Sequence, residues 1–475
     1  MKEKHNTHPV MDAHVLIFPL PLQGPINSML KLAELLCLRQ INVTVVITQH
    51  IQRRLFDSSA IQTYMETNYG GAFRFESIPD GLSEEHPRTI REFSALLASL
   101  SAVAPPILQQ MVSVREISCI VAEGIFSFAS DIAGEIGVPL FYFDTYSACA
   151  LWANMCLPQL IQAGELPFKD DNLDETIRNA PGMEGIIRRR DLPSLCRGID
   201  LEDPEIKLLL KQAHLMPLSQ GIILNTFHQL DSSLLSHMFK LFPNIYAIGP
   251  LHTLLQTQTS QNTSSSILPE DRSCISWLDK QPSKSVVYVS IGSLALMTKD
   301  QFLEFWYGLV NSGSRFLLVQ RPGSVAGLDD GIPEELLEGA GGRGCVVSWA
   351  PQQEVLDHRA VGGFLTHCGW NSILESVVAG KPMICWPHHF DQQVNSRYVG
   401  EVWKVGLDMK DSCDRVVVEK MVREVMELRK NEFLERARQQ SEAARSSVGE
   451  GGSSAKDLDR LIDDIKNMKL LPKHH

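Results

Sequence analysis

The chain carries no uninterrupted apolar run of about 18 residues, the length a membrane-spanning helix needs. Its opening, M-K-E-K-H-N-T-H-P, is polar, and the first apolar run, His14 to Leu22, is short and broken by Pro19 and Pro21. Neither a leader peptide nor a membrane span is expected. Basic charge is also short: 44 Lys and Arg against 56 Asp and Glu leave a formal net charge of −12. A nucleic-acid partner wants a basic face, so none is expected. The ten cysteines are scattered, without C-x-x-C pairs or zinc-finger spacing, and most lie in apolar runs. That usage fits buried, reduced thiols in a cytoplasmic protein. His388 and His389 are adjacent, so on a strand they point apart, and no third ligand has suitable spacing; no metal is expected. No internal repeat of fixed period is present.

What is there suits a large soluble α/β protein. At 475 residues, 44% hydrophobic and 21% charged, the chain is too long for one ordinary core, and two domains are expected. The run H-V-L-I-F-P-L reads as a strand, Ile26–Arg39 as a helix, and N-V-T-V-V-I-T as a β-branched strand. Such a βαβ unit implies a parallel sheet covered by helices. Further strands are predicted at Ile117–Ala122, Pro139–Phe143 and Gly221–Thr226, with a helix at Phe126–Ile136. Residues 251–268 lose all periodicity and become Ser/Thr/Gln-rich, which reads as a linker. A second α/β pattern follows, with strands at Ser285–Ile291, Arg315–Val319, Cys345–Trp349, Gly362–Thr366 and Pro382–Trp386 and a helix at Lys299–Asn311. Two parallel-sheet domains would face a cleft at the carboxyl ends of their strands, where ligands of such sheets bind.

The segment from Trp349 to Gln392 concentrates the chemistry. Trp349 ends a strand and offers an indole face to a flat base; Ala350 offers backbone to the base edge, and Gln352 follows. His367 stands at a strand-to-helix turn, followed by Gly369, Trp370, Asn371 and Ser372, where free N–H groups and the helix dipole favour an anion. Glu375 lies on the same helical face and can accept both hydroxyls of a ribose. Gly292 and Ser293, after another strand, offer a second phosphate contact, and Asp391 and Gln392 suit sugar hydroxyls. Singly, each of these residues is more often structural; together they are the parts of a site for a nucleoside diphosphate bearing a sugar.

The same segment resembles, from its opening Trp to its closing Gln, the signature box of the plant UDP-sugar-dependent glycosyltransferases of secondary products. Family-like pieces continue along the chain: F-R-F-E-S-I-P-D-G-L, I-L-N-T-F, A-I-G-P-L, S-W-L-D-K-Q-P-S-K-S-V-V-Y-V-S-I-G-S and G-G-S-S-A-K-D-L-D-R-L-I. The resemblance implies a GT-B fold: two facing Rossmann-like domains, with a C-terminal helix packing back on the first. The expected division is 1–250 for the acceptor domain, 251–270 for the linker, 271–455 for the UDP-sugar domain and 456–475 for the returning helix. A UDP-sugar co-substrate, inversion without a metal or further cofactor, a small lipophilic acceptor and a monomer are also implied. Gln392 favours UDP-glucose among the sugars.

One part of the family pattern is missing. Family members take the acceptor's proton with a histidine in a Q-G-H-x-x-P type turn, held by an aspartate in an S-D-G type turn. Here those turns read Q-G-P-I-N-S and A-E-G, so Pro25 occupies the histidine place, Ser28 the proline place and Glu123 the aspartate place. Proline suits a helix start, but it cannot accept a proton. Glu123, projecting towards the vacated imidazole space, is the first substitute base. Asp144 is the second; its neighbour Thr145 matches a family residue that touches the sugar. Alternatively the acceptor supplies its own acidity, as a carboxylate or a hemiacetal hydroxyl does. P-G-M-E-G-I-I-R-R-R-D-L-P-S-L-C-R and Q-L-I-Q-A-G-E-L-P-F-K-D resemble the family branch that glucosylates iridoids such as 7-deoxyloganetic acid. Phenolic acceptors stay open, as does a UDP-sugar binder without transferase activity. The Arg188-Arg189-Arg190 run could steer an anionic acceptor or be a solvated loop beside Asp191.

Overall fold

The computed structural model describes residues 13–58, 61–89, 92–193, 196–197, 200–259, 268–293, 295–328 and 332–468. The polar opening on which the leader expectation rests, and 260–267 within the expected linker, lie outside them.

Seven strands form the first sheet: β1 (His14–Phe18), β2 (Asn42–Thr48), β3 (Phe73–Ile78), β4 (Cys119–Glu123), β5 (Leu140–Asp144), β6 (Gly221–Leu224) and β7 (Ile245–Ala247). Their spatial order is β3-β2-β1-β4-β5-β6-β7, and every pair is parallel. Six strands form the second: β8 (Val286–Ser290), β9 (Arg315–Val319), β10 (Gly344–Val347), β11 (Val361–Thr366), β12 (Met383–Cys385) and β13 (Gly406–Asp408), in the order β10-β9-β8-β11-β12-β13. Both sheets start in the middle and reverse direction after the third strand, the doubly wound nucleotide-binding topology. The GT-B architecture is present. The central strands are buried on both faces, which is why their sequences are nearly continuous Val, Ile, Leu and Phe.

Alternate residues of the first sheet feed separate cores. Val15, Ile17, Val43 and Val45 share one core with Leu458, Leu461, Ile462 and Ile465 of the C-terminal helix Ser453–Asn467, which packs against β7. Tyr246 Oη donates to Asp464 at 2.6 Å, and Asp457 accepts from the Ala247 amide at 3.0 Å. Each buried leucine or isoleucine contributes about 1.5–3 kcal/mol, so this stripe ties the chain's end to the first sheet. The helix starts at Ser453, three residues before the expected boundary. On the other face, Leu16, Phe18 and Tyr142 share a core that continues to Tyr288 and Phe364 of the second sheet.

Several sequence readings shift. Residues Leu251–Gln256 are helical, not linker, because Leu251 and Leu254 reach the core one turn apart. The helices Phe93–Val114 and Ala148–Gln162 were not predicted; each holds proline in its interior, which disguises the period. Phe93–Val114 is, among the described residues, the one helix long and apolar enough to cross a membrane by length and composition. Its Phe93, Leu97, Leu100, Ala104 and Leu108 pack into the first domain's core. The arginine run forms a domain clamp and not a steering patch. Arg188 pairs with Asp191 at 2.9 Å and Asp408 at 3.1 Å; Arg190 pairs with Asp411 at 3.0 Å. Asp191 also receives Lys410 at 2.8 Å. Burial pushes the Asp191 carboxyl up, but Arg188 and Lys410 outweigh it and hold it below the usual range.

Candidate active site

A cleft of about 380 Å³ runs between the carboxyl ends of the two sheets. One wall is the segment from Trp349 onwards. Trp349 and Ala350 line it beyond β10, with Pro351 leading into the helix Gln352–Asp357. Gln352 organises this end: its amide nitrogen donates to Ser372 Oγ at 2.8 Å and to Glu375 at 2.7 Å, and its oxygen accepts from Tyr288 Oη at 3.1 Å. Gln353 donates to the other Glu375 oxygen at 3.0 Å. Glu375 is thus buried and aimed before any ligand arrives. Burial raises its carboxyl pKa, while the two glutamine amides act in the opposite direction.

His367 follows β11 at the foot of the helix Trp370–Val378. Its ring lies so close to Gly292 and Gly369 that a Cβ on either would come within 2.5 Å of Nε2. Gly292 also has φ +80°, a conformation only glycine adopts freely. The bare backbone at both positions leaves the cleft open at the helix N-terminus, where an anion is favoured. Burial lowers the His367 pKa to about 4, so the ring is neutral at pH 7. Ser293, Asn371, Ser372, Asp391 and Gln392 also line the cleft. Gln392 accepts from the His388 and His389 amides, both at 2.9 Å, and so holds their loop. Asp391 accepts from Asn395 at 2.7 Å, and burial raises its pKa to about 7.

Two residues of this wall do more than sequence suggested. Trp370 reaches the other domain: its Nε1 donates to the Asn225 carbonyl at 2.8 Å, and its indole packs beside Trp403. Its side chain is a domain strut. Asn371 also crosses the cleft, donating to the Gly24 carbonyl at 3.0 Å and accepting from Ser28 Oγ at 2.8 Å. The serine at the family's proline place therefore has a partner on the donor side.

The opposite wall holds Pro25, Thr145 and Tyr146. The first helix begins at Gln23, so Pro25 is its third residue; N–H groups there lack intrahelical acceptors, and proline forfeits nothing. Glu123 and Asp144, the two expected substitute bases, are absent from the cleft lining. Glu123 is 2% exposed and accepts from Thr145 N at 3.0 Å and from Thr145 Oγ1 at 3.1 Å on each oxygen. Asp144 accepts from Tyr146 N at 3.0 Å and from Gln212 at 3.1 Å. Both stand behind the Thr145–Tyr146 turn, and neither lines the cleft. Burial, and then Asp144, push Glu123 well above the ordinary carboxyl range; burial raises Asp144 to about 7. Their adjacent strand ends β4 and β5 put the two carboxyls together, and sequence alternation gave no hint of that.

A narrow apolar cavity adjoins the cleft, sharing Tyr146, Phe390 and Asp391 with it. Phe93, Leu97, Ile125, Leu208 and Leu209 form its walls. Sequence reasoning missed these residues, and Lys31 of the cleft, because four distant segments supply them, and it weighed His389 only as a metal ligand. Lys31 alone had a signal, lying two turns beyond Gly24 on the first helix.

The pattern that defines the UDP-glucoronosyl and UDP-glucosyl transferase family matches residues 220–433. A 7-deoxyloganetic acid glucosyltransferase of Catharanthus roseus is 48% identical, covering 96% of this chain and 98% of that protein. A myricetin 3-O-rhamnoside 1,2-glucosyltransferase of Crocosmia x crocosmiiflora is 43% identical, covering 99% and 98%. Among solved structures, Medicago truncatula UGT71G1 complexed with UDP-glucose superposes with a TM-score of 0.81 at 27% identity, covering 96% and 98%. Os79 from O. sativa in complex with UDP gives 0.80 at 26%, covering 95% and 100%.

Proposed function

The chain belongs to the plant UDP-glycosyltransferases, and from that premise we propose that it transfers glucose from UDP-glucose to a hemiacetal hydroxyl of a small terpenoid, of iridoid type, giving a β-glucoside. The observation that carries this reading is the pre-arranged donor wall, from Trp349 through Glu375 to Gln392, beside an apolar cavity. Trp349 stacks the base, Glu375 takes the ribose hydroxyls, and the backbone from Gly369 to Ser372 takes the diphosphate. Asp391, Gln392 and Thr145 hold the sugar. The acceptor oxygen attacks the anomeric carbon as its bond to the phosphate oxygen breaks, which inverts that carbon and releases UDP. The helix N-terminus stabilises the charge gathering on the leaving diphosphate, so no metal is required.

Asp391 stands where the cleft meets the apolar cavity. Its pKa of about 7 leaves it partly ionised at neutral pH, and that negative charge disfavours an anionic reacting group, which supports a hydroxyl over a carboxylate as the nucleophile. A hemiacetal hydroxyl is more acidic than an ordinary alcohol, which eases the loss of histidine at Pro25. The name of the 48%-identical relative points to the same acceptor class. The reading includes a monomeric cytoplasmic enzyme without a cofactor beyond its co-substrate.

Pro25 favours one second reading, a protein that binds UDP-sugars without transferring them. Incubation with UDP-glucose and a panel of iridoid, phenolic and carboxylic acceptors, followed by mass spectrometry, separates the two. A β-glucoside formed fastest from the hemiacetal acceptor is expected. UDP binding without product from any acceptor overturns the transferase reading.

A further inference from the structure

We propose that His389, carried by the donor-binding domain, takes the acceptor proton that Pro25 cannot take. The proposal rests on the transferase reading above and names the base for that reaction.

His389 lines the cleft and is half-buried. Neither of its ring nitrogens has a hydrogen-bond partner among the described residues. Its position is tightly set: Gln392 holds its backbone amide, and Phe390 beside it is fixed at φ +54°, a costly conformation for a phenylalanine. Ring contacts lead directly to the acceptor cavity. The His389 and Phe390 centroids are 6.3 Å apart, and Phe390 meets Phe93, a wall of that cavity, at 5.0 Å. The imidazole therefore lines the cleft next to the residues expected to hold the sugar, one residue before Phe390, which borders the cavity expected to hold the acceptor. Burial lowers its pKa from the ordinary value, which leaves it neutral at pH 7 and able to accept a proton.

The other titratable groups of this region serve less well. His388 packs on Trp386 at 4.5 Å, and burial drops its pKa to about 3. His367 lies under the glycine turn, with its pKa lowered to about 4. Burial alone shifts His389, and the two neighbouring imidazoles, His367 and His388, are neutral at pH 7. Burial pushes the Tyr146 hydroxyl far up, so it holds its proton. Glu375 is engaged by two glutamines, and Glu123 and Asp144 lie behind Thr145 and Tyr146. Asp391 is the rival, in the same loop and bound to Asn395.

In the step, the acceptor O–H bond breaks towards an imidazole nitrogen while the oxygen forms its bond to the anomeric carbon. The electron pair of the sugar–phosphate bond leaves with UDP. The imidazolium then gives its proton to water, to which the half-exposed ring has access.

The test compares wild type with His389→Phe, which keeps a ring of similar size, His389→Ala and Asp391→Asn. The readouts are UDP affinity, kcat and the pH profile of kcat/KM. A general base contributes about 10²–10⁴-fold. His389→Phe is expected to lose kcat within that range on a hemiacetal acceptor, to keep UDP affinity and to lose the acidic limb of the profile. Added imidazole is expected to restore part of the rate of His389→Ala. A kcat of His389→Phe within threefold of wild type, with the acidic limb intact, overturns the proposal. So does a limb that persists in His389→Phe and disappears in Asp391→Asn, which assigns the proton to Asp391. Wild-type protein that binds UDP and forms no glucoside overturns the transferase reading, and this proposal with it.

Discussion

The two walls of the cleft are built in different ways. The donor wall comes from one continuous segment, Trp349 to Gln392, with Gly292 and Ser293 added from the strand beside it. Two of its key groups are fixed before any ligand arrives: Gln352 and Gln353 hold Glu375, and Gln392 holds the loop of His388 and His389. The acceptor wall is assembled from the first helix, the end of β5 and the helices Phe93–Val114, Ala148–Gln162 and Pro204–Leu215. It gathers carboxyls, Glu123 and Asp144, with Asp391 reaching in from the donor side, and burial raises all three pKa values. A site with one invariant ligand can be written into one segment. A site for variable ligands lies on the helices and loops that can change without disturbing the sheet.

The sharpest way to break this contrast is to damage the donor wall. Glu375→Ala removes a charged acceptor and frees two glutamine amides; hydrogen bonds to charged groups contribute about 1.5–3 kcal/mol each. UDP affinity, measured by calorimetry, is expected to fall by about 10²-fold, with folding retained. An unchanged affinity would mean that the wall is not the donor site.

Restoring the missing histidine probes the other side. Pro25→His is expected to raise kcat on a phenolic acceptor by about 10²-fold, the low end of what a base supplies, and to leave UDP affinity alone. A gain of equal size on the hemiacetal acceptor would show that the native reaction is base-starved, against the role given to His389.

Glu123 offers a smaller effect with a clear sign. Because it holds Thr145, Glu123→Ala is expected to raise KM for UDP-glucose several-fold, while Glu123→Gln stays near wild type and keeps the acidic limb of the pH profile. Loss of that limb in Glu123→Gln would return the base to the acceptor wall.

The smallest effect concerns stability. Asp231 is fully buried, accepts from Thr226 Oγ1 at 2.6 Å, and has its pKa raised by burial from 3.8 to about 7. A carboxyl whose folded pKa lies above its unfolded one favours the fold in its protonated form. That contribution is complete below about pH 4 and is lost as pH rises through about 7. Asp231→Asn should therefore gain Tm relative to wild type at pH 8 and lose that advantage at pH 4–5. A pH-independent difference would count against a protonated Asp231.

Much of this molecule was legible as a sequence. The strands β4, β5, β8, β9, β11 and β12 and the helices Gln23–Leu38 and Lys299–Asn311 fall within two or three residues of their predicted bounds, because strands buried on both faces and amphipathic helices leave strong periodic signals. The donor segment was legible because its residues meet through local geometry: turn, helix N-terminus and one helical face. The helices with internal proline were hidden, and Leu251–Gln256 was mistaken for linker because two core leucines sit among polar residues.

The amino-acid order by itself determined two parallel-sheet domains, a nucleotide-sugar wall and the absence of histidine at Pro25. These follow from contacts between near neighbours in the chain, which spacing encodes. Only the tertiary structure decided that Glu123 and Asp144 stand behind Thr145 and Tyr146, that Trp370 and Asn371 bind the opposite domain, that Arg188 and Arg190 clamp the two domains, and that His389 stands beside the acceptor cavity. Each of those contacts depends on where two sheets bring remote strand ends and loops together, and no local period in the sequence records that distance.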